Sequence, residues 1–435
     1  MKRSAIEQLT AWKASKNRKP LVIRGARQVG KTWLMKEFGK KEFKNFVYIN
    51  FDSNPDMANL FEGSLQISRL IAGLQIYSGQ KITTDTLLIF DEIQEVPRAL
   101  SSLKYFCEDA PEYAVIAAGS LLGVAMHKGT SFPVGKVDFM DLYPLSFTEF
   151  LRATDNENLA DLLKNVDWQL ITTFKNKYIE LLRYYYYVGG MPEAVQTFID
   201  ANDLNAVRKV QQNILTAYEQ DFSKHAPPES VPRIRMVWQS IPSQLAKENR
   251  RFVYGALRKG ARAKDFELAI QWLKDCGLVQ QIIRLSKPSL PLPAYADEGF
   301  KMFLSDVGLL GAMSGLDAKT LLQGNKFFSE FKGALTEQYV AQELRSELNL
   351  TPCYWSAEHA TAEVDFVFQY QSGIYPVEVK AEENLKAKSL KVYSDKYSPA
   401  IAVRTSMSDY RHDDWLLNLP LYGISQILTE CEKFI

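Results

Sequence analysis

Leu21-Val22-Ile23-Arg24-Gly25-Ala26-Arg27-Gln28-Val29-Gly30-Lys31-Thr32-Trp33-Leu34-Met35-Lys36-Glu37-Phe38 divides into three pieces with different physics. Leu21–Arg24 is a short apolar run and reads as a buried strand. Gly25–Thr32 fits G-x-x-x-x-G-K-[ST], and Trp33–Phe38 is rich in helix formers. In the order strand, glycine-bounded loop, helix, backbone N–H groups turn inward around phosphate oxygens and the helix offers its positive end. Gly25, Ala26, Arg27, Gln28, Val29, Gly30, Lys31, Thr32 and Trp33 are the expected nucleotide contacts. Lys31 is expected to reach the β- and γ-phosphates of ATP, and the Thr32 hydroxyl to hold Mg²⁺.

The partner of this loop is Leu87-Leu88-Ile89-Phe90-Asp91-Glu92. Four apolar residues in a row predict a strand covered on both faces, as central parallel strands are. Asp91 at its end is placed to bind the Mg²⁺ shell, and Glu92 to polarise an attacking water. A glutamate there favours hydrolysis over phosphoryl transfer, which speaks against a kinase. A third strand, Tyr113–Ala118, ends at Gly119-Ser120. Ser120 is the candidate γ-phosphate sensor, although Gly-Ser pairs also simply turn chains. Arg27, inside the loop, and Arg98, after the acidic pair, are considered for an arginine finger, but both read rather as ordinary surface charges.

Length and composition frame these motifs. A chain of 435 residues suggests two to four domains at roughly 100–200 residues each. With 46% hydrophobic and 24% charged residues it is globular in type, and 52 basic against 51 acidic side chains give no overall pull toward nucleic acid or membrane. The four cysteines (107, 276, 353, 431) and four histidines (127, 225, 359, 412) are dispersed, without zinc-ligand spacing. Met1–Pro20 lacks a signal-peptide core, and the longest near-apolar stretch, Ala114–Met126, is too short to span a bilayer. No membrane association and a cytoplasmic location are expected.

Past Pro144 the pattern turns helical. Tyr184-Tyr185-Tyr186-Tyr187 reads as a buried helix end or, alternatively, a stacking platform for bases. Gly189-Gly190 breaks that helix, and Pro192-Glu193 suits the first turn of the next. Lys264–Gly277 has apolar residues on one helical face and leads into an apolar strand, Leu278–Leu285. Helices followed by such a strand resemble a winged helix, with Arg258, Lys259, Arg262 and Lys264 adding positive charge.

Near the end, a helix over Leu335–Leu348 carries Glu337, and two strand-like runs flank Gln371-Ser372-Gly373. A two-residue turn at Gln371-Ser372 sets Asp365 opposite Glu378, and a shift of one residue sets it opposite Lys380. Either register keeps Glu378 and Lys380 on one face. Two carboxylates can hold Mg²⁺ beside a scissile phosphate while a lysine steadies developing charge. Polar-out alternation on a hairpin looks much the same.

With these residues assembled, the chain resembles the bacterial and archaeal ATPases that join an AAA-type P-loop domain to a C-terminal domain of unknown function. The stretches that carry the resemblance are Gly25–Thr32, Leu87–Gln94, Tyr143–Phe147 with Glu149-Phe150, Gly189–Glu193, Ser305–Leu309 and Glu363–Lys380. Such relatives are similar to the PD-(D/E)XK nuclease fold at their C-terminus. The resemblance implies that Asp365, Glu378 and Lys380 fill the nuclease positions and Glu337 that of the helix carboxylate. Many relatives have an arginine before the Tyr-Pro-Leu-Ser segment, where this chain has Gly135-Lys136.

The expected fold is α/β. A P-loop NTPase parallel sheet spans residues 1–150, a lid-like helical extension 151–204, a winged-helix-like part 205–299 and a nuclease-like α/β domain 300–435. The expected reaction is Mg²⁺-dependent ATP hydrolysis that controls a nuclease-like domain acting on DNA. The alternative is a nucleotide switch for a protein partner, with an inactive nuclease-like domain.

Overall fold

The apolar runs at Leu21–Arg24 (β1), Thr86–Asp91 (β3) and Ala114–Ala118 (β4) form the interior of a five-stranded parallel sheet. Asn45–Asn50 (β2) and Asp138–Asp141 (β5) form its edges, and the order is β2-β3-β4-β1-β5. All six residues of β3 and all five of β4 are buried, which is why their sequences do not alternate. Against the sheet pack helices Ile67–Ser78 and Pro97–Asp109, the latter with proline in its first turn, where a missing N–H costs nothing. Phe61, Phe90 and Phe106 meet edge to face, with centroids 5.8 Å and 6.1 Å apart. Such contacts add about 0.5–1.5 kcal/mol per pair beyond burial.

This computed structural model describes residues 1–54, 56–119, 132–323, 329–357, 362–383 and 386–434. The chain falls into two units. The first is Arg3–Tyr143 together with Trp272–Leu278, and the second is Met1–Lys2, Pro144–Gln271 and Val279–Ile435.

The second unit is built on a mixed sheet of eight strands. These are β6 (Val279–Leu285), β7 (Ala296–Leu304), β8 (Cys353–Ser356), β9 (Glu363–Tyr370), β10 (Gly373–Val379), β11 (Ala402–Ser406), β12 (Arg411–Asp413) and β13 (Leu416–Pro420). Their order is β12-β13-β11-β10-β9-β8-β6-β7. The strand expected as a wing, β6, does form an antiparallel pair with β7, but it also pairs in parallel with β8. The hairpin therefore continues the C-terminal sheet, and a division at residue 299 falls inside β7. The apolar run foretold the strand β6, whereas its pairing with β8 is long-range and leaves no local mark.

Stretches that carried the family resemblance meet in one buried network of the second unit. Ser146 and Glu149 form a reciprocal capping box on helix Phe147–Ala153. Leu145 N–H donates to Gly190 O at 2.7 Å, Gly190 N–H to Asp306 Oδ2 at 2.6 Å, and Leu309 N–H to Asp306 Oδ1 at 2.9 Å. Tyr185 donates to Leu145 O and accepts from Gln342, while Phe147 N–H donates to Glu343 Oε1 at 2.8 Å. Tyr185, Tyr186 and Tyr187 are buried, so these members of the tyrosine run are core and not a stacking platform.

Candidate functional site

Because all five strands of the first sheet are parallel, their carboxyl ends share one edge, the usual place for ligands in such sheets. That edge carries the glycine loop between β1 and the helix starting at Lys31, Asn50 at the end of β2 and the Asp91-Glu92 pair at the end of β3. The loop needs its glycines. Gly25 has φ 147°, and a Cβ there would lie 2.2 Å from Leu142 O. Gly30 is left-handed at φ 95° where helix Lys31–Glu42 begins.

Lys31 is buried and its ammonium donates to Gly25 O and Ala26 O, each at 2.8 Å. Burial lowers its pKa to about 8, against the opposing pull of Glu92 and Asp91, and Arg27 adds to the lowering. Thr32 Oγ1 donates to Asp91 Oδ2 at 2.6 Å, and Tyr48 Oη donates to the same oxygen at 3.0 Å. Burial is the largest cause raising the Asp91 carboxyl, with Glu92 adding to it and the Thr32 and Tyr48 hydroxyls opposing. Glu92 follows in a left-handed conformation, φ 50° and ψ 44°, and its Oε2 accepts from Gln94 Nε2 at 2.6 Å. The structure thus brings Lys31, Thr32, Asp91 and Glu92 to one edge. The cradle glycine, the buried ammonium and the Thr32–Asp91 oxygen pair suit a magnesium-bound triphosphate in type and position.

The remaining candidates separate. Trp33 is 43% exposed on the helix after the loop. Arg98 donates to Phe61 O and Gly63 O, both at 2.8 Å, and so ties a neighbouring loop. Lys136 pairs with Glu108 at 2.8 Å on the surface. Ser120 lies outside the described residues.

Four contributors escaped the sequence reading. Arg3 donates to Val29 O at 3.1 Å and Tyr143 O at 2.6 Å, which fastens the glycine loop from the N-terminal segment. Tyr48 and Gln94 hold the two acidic residues. Gly277 lies so near the loop that a Cβ would stand 3.1 Å from Ala26 N. Only Gln94, two residues after Glu92, carried a local signal.

A second constellation lies in the second unit. The turn at Gln371-Ser372 is the two-residue one, since Tyr370 pairs with Gly373 and Phe366 with Val377. Asp365 therefore comes opposite Glu378, and Val379 N–H donates to Asp365 Oδ2 at 2.8 Å. Glu337 joins from helix Ser329–Ser346, and Lys380 Nζ pairs with Glu378 Oε1 at 2.6 Å. Three residues not foreseen complete the group. Arg250 Nη1 is 2.5 Å from Glu337 Oε1, while Lys301 lies among Glu337, Glu363 and Asp365. Burial, then the neighbouring Asp365 charge, push Glu337 up to about 7 and raise Glu378. Burial alone would lower Lys301, but Glu337, Glu363 and Asp365 outweigh it and hold the ammonium well above its ordinary value. Among the described residues no group of three or more His, Cys, Asp or Glu is arranged to hold a metal ion. The carboxylates expected as magnesium ligands are already bonded to cations and amides of the chain. In this arrangement they do not fit a divalent ion.

Residues 17–151 match the family model of an AAA domain. Residues 179–320 and 332–422 match two domains of unknown function, DUF8612 and DUF4143. No curated protein matches the chain. Similar solved structures include a Walker-type ATPase of Pyrococcus abyssi, at 13% identity and TM-score 0.45, covering 72% of this chain and 95% of that one. They also include the Orc1 protein of Aeropyrum pernix in complex with DNA, at 12% identity and TM-score 0.26, with 72% and 90% covered. Cdc6p from Pyrobaculum aerophilum has 12% identity and TM-score 0.26, with 73% and 94% covered. No helix among the described residues is long and apolar enough to cross a membrane. The AAA-domain match and the glycine loop over the parallel sheet together support ATP binding, and ATPase activity in general terms, for the first unit.

Proposed function

We propose that the first unit binds Mg-ATP and hydrolyses it to ADP and phosphate, and that this cycle switches the second unit between states that differ in affinity for a protein partner. The observation that carries the hydrolytic reading is the 2.6 Å bond between Thr32 Oγ1 and Asp91 Oδ2 beneath the glycine loop. Magnesium, when bound with the nucleotide, neutralises charge on the β- and γ-phosphates. The chain's own residues do the rest. Loop amides and Lys31 bind the phosphates, exchanging the lysine's bonds to Gly25 O and Ala26 O for phosphate oxygens. Thr32 and Asp91 orient the metal's shell, and Glu92 orients and deprotonates the attacking water. Hydrolysis by wild type, Lys31→Ala and Glu92→Gln tests this. Turnover in wild type and its loss in both variants is expected, with ATP still bound by Glu92→Gln. Turnover that survives both substitutions would overturn it.

The reading of the second unit as an interaction module is supported by its carboxylates' being paired with Arg250, Lys301 and Lys380. A second reading, in which the partner is DNA, is favoured by Arg258, Lys259, Arg262 and Lys264, all exposed around the start of helix Ala263–Asp275. Phosphate contacts weaken steeply with salt. A pull-down partner that depends on nucleotide supports the first reading. Salt-dependent duplex binding that Arg258→Ala with Arg262→Ala abolishes supports the second.

A further inference from the structure

Lysine is almost never fully buried unless it is paired, because an isolated ammonium gives up its hydration for nothing. Lys301, on β7, has no exposure. Its Nζ lies 2.6 Å from Glu363 Oε1, 3.6 Å from Glu337 Oε2 and 3.8 Å from Asp365 Oδ1, and 5.1 Å from the centroid of the Tyr354 ring. Three carboxylates from one helix and one strand thus converge on a single nitrogen. Left to themselves they would repel one another, and a cation among them removes that repulsion. Divalent ions do this in oxygen-ligand sites at about 2.0–2.6 Å. Here an ammonium carried by the chain does it, 2.6 Å from one carboxylate and 3.6 and 3.8 Å from the other two.

Charge makes the substitution nearly complete. Glu337, Glu363, Asp365 and Glu378 face Arg250, Lys301 and Lys380, which leaves one negative charge over. A divalent ion brought to Glu337 and Asp365 would more than cancel that surplus. It would also stand within a few ångström of Nζ, where like charges repel strongly in a buried site. Glu337 Oε2 and Glu378 Oε2 are both buried without a hydrogen-bond donor, but Lys301 Nζ lies 3.6 Å from the first, and the second alone is too little to hold a metal against this repulsion. We propose that Lys301 is the resident cation of this cluster, occupying the place of the divalent ion that a nuclease-like fold would hold there, so that the second unit binds its partner without cutting phosphodiesters. The assignment rests on reading the second unit as nuclease-like.

The test is a titration of the full-length, nucleotide-free protein with Mn²⁺ alone, free ion being counted by electron paramagnetic resonance. Asp91→Asn serves as background so that the ATP site does not contribute. With Lys301 intact, no equivalent of Mn²⁺ that depends on Asp365 is expected. Adding Lys301→Met, which keeps the stem and deletes the charge, is expected to create one equivalent that a further Asp365→Asn removes. Lys301→Gln, which retains a donor toward Glu363, is the milder second variant. An equivalent held by the Lys301-containing protein and lost with Asp365→Asn overturns the assignment, as does a folded Lys301→Met protein that gains none. Metal binding without nucleic-acid cleavage overturns the resident cation alone. Metal-dependent cleavage abolished by Asp365→Asn overturns the interaction-module reading with it.

Discussion

Gln94 donates its amide to Glu92 at 2.6 Å across one 3₁₀ turn, Ile93–Glu95, while Glu92 holds a left-handed backbone. A non-glycine residue in that region costs about 1–2 kcal/mol, so the turn must be held by its surroundings. Gln94 Oε1, the other end of the same amide, is buried without a donor. Gln94 therefore fixes the direction in which the Glu92 carboxylate points. Gln94→Ala is expected to lower kcat about 10-fold or more with the ATP dissociation constant nearly unchanged, within the range general-base positioning contributes. Gln94→Asn, whose shorter side chain falls short of Glu92, is expected to behave like alanine. Single-turnover hydrolysis with separately measured nucleotide affinity checks both.

Lys31 gives a pH dependence of definite sign. Burial lowers its pKa to about 8, so the nucleotide-free protein loses the ammonium as pH rises through that value. Nucleotide binding requires the charged form. The dissociation constant for ATP is expected to rise above pH 8, approaching about tenfold per pH unit. Folding responds in the opposite sense. The unfolded chain retains the proton up to 10.5, so this group's contribution to stability grows as pH rises from about 8 to 10.5. Calorimetric titration with ATP across pH 7 to 9.5, on wild type and Lys31→Ala, separates the binding effect from general alkaline loss.

Gly277 tests the fit against the glycine loop. It has φ +71°, and an added Cβ would stand 3.1 Å from Ala26 N. Gly277→Ala combines left-handed strain of about 1–2 kcal/mol with pressure on the backbone of the glycine loop at Ala26. ATP affinity is expected to fall severalfold. Gly315→Ala is the control, since Gly315 has φ +67° with open space around it. That variant should lose stability and keep its affinity for ATP.

Asp306 is expected to matter to stability rather than to catalysis. Each of its carboxylate oxygens accepts a buried backbone N–H, from Leu309 and from Gly190. Asp306→Asn leaves one acceptor for two donors and turns an NH₂ toward the other. Loss of about 2–3 kcal/mol in urea unfolding is expected, the cost of a buried unsatisfied donor. Burial raises this carboxyl from 3.8 to about 6. The folded state therefore holds the proton more tightly, and this group's contribution to stability falls as pH rises from about 4 to 6. In Asp306→Asn that slope should vanish.

Local physics explains what could be read from the chain alone. The inner strands β1, β3 and β4 are continuous apolar runs, and the glycine loop is a spacing of residue types, so neither needs tertiary information. Counting residues left Asp365 opposite either Glu378 or Lys380, and the two-residue turn of the structure selects Glu378. The edge strands β2 and β5 were missed because Asn45–Asn50 and Asp138–Asp141 are bounded by polar residues and lack a buried run. Lys301 sits in Gly299-Phe300-Lys301-Met302-Phe303-Leu304, one charge in an apolar strand, and it went unread. Its three carboxylate partners lie 36 to 64 positions away, and nothing local names them.

The seven residues Trp272–Leu278 belong with Arg3–Tyr143, although a long stretch of chain separates them. On the ribosome, the first unit has all five strands once Tyr143 has emerged but lacks this last piece. At ~5–20 residues per second, the interval until Leu278 is about 7–27 s. During that time the glycine loop is without the backbone that lies against Ala26. A nascent chain halted after Tyr143 and one halted well after Leu278 are therefore expected to differ in their capture of ATP, the order of synthesis setting when the loop gains its last neighbour.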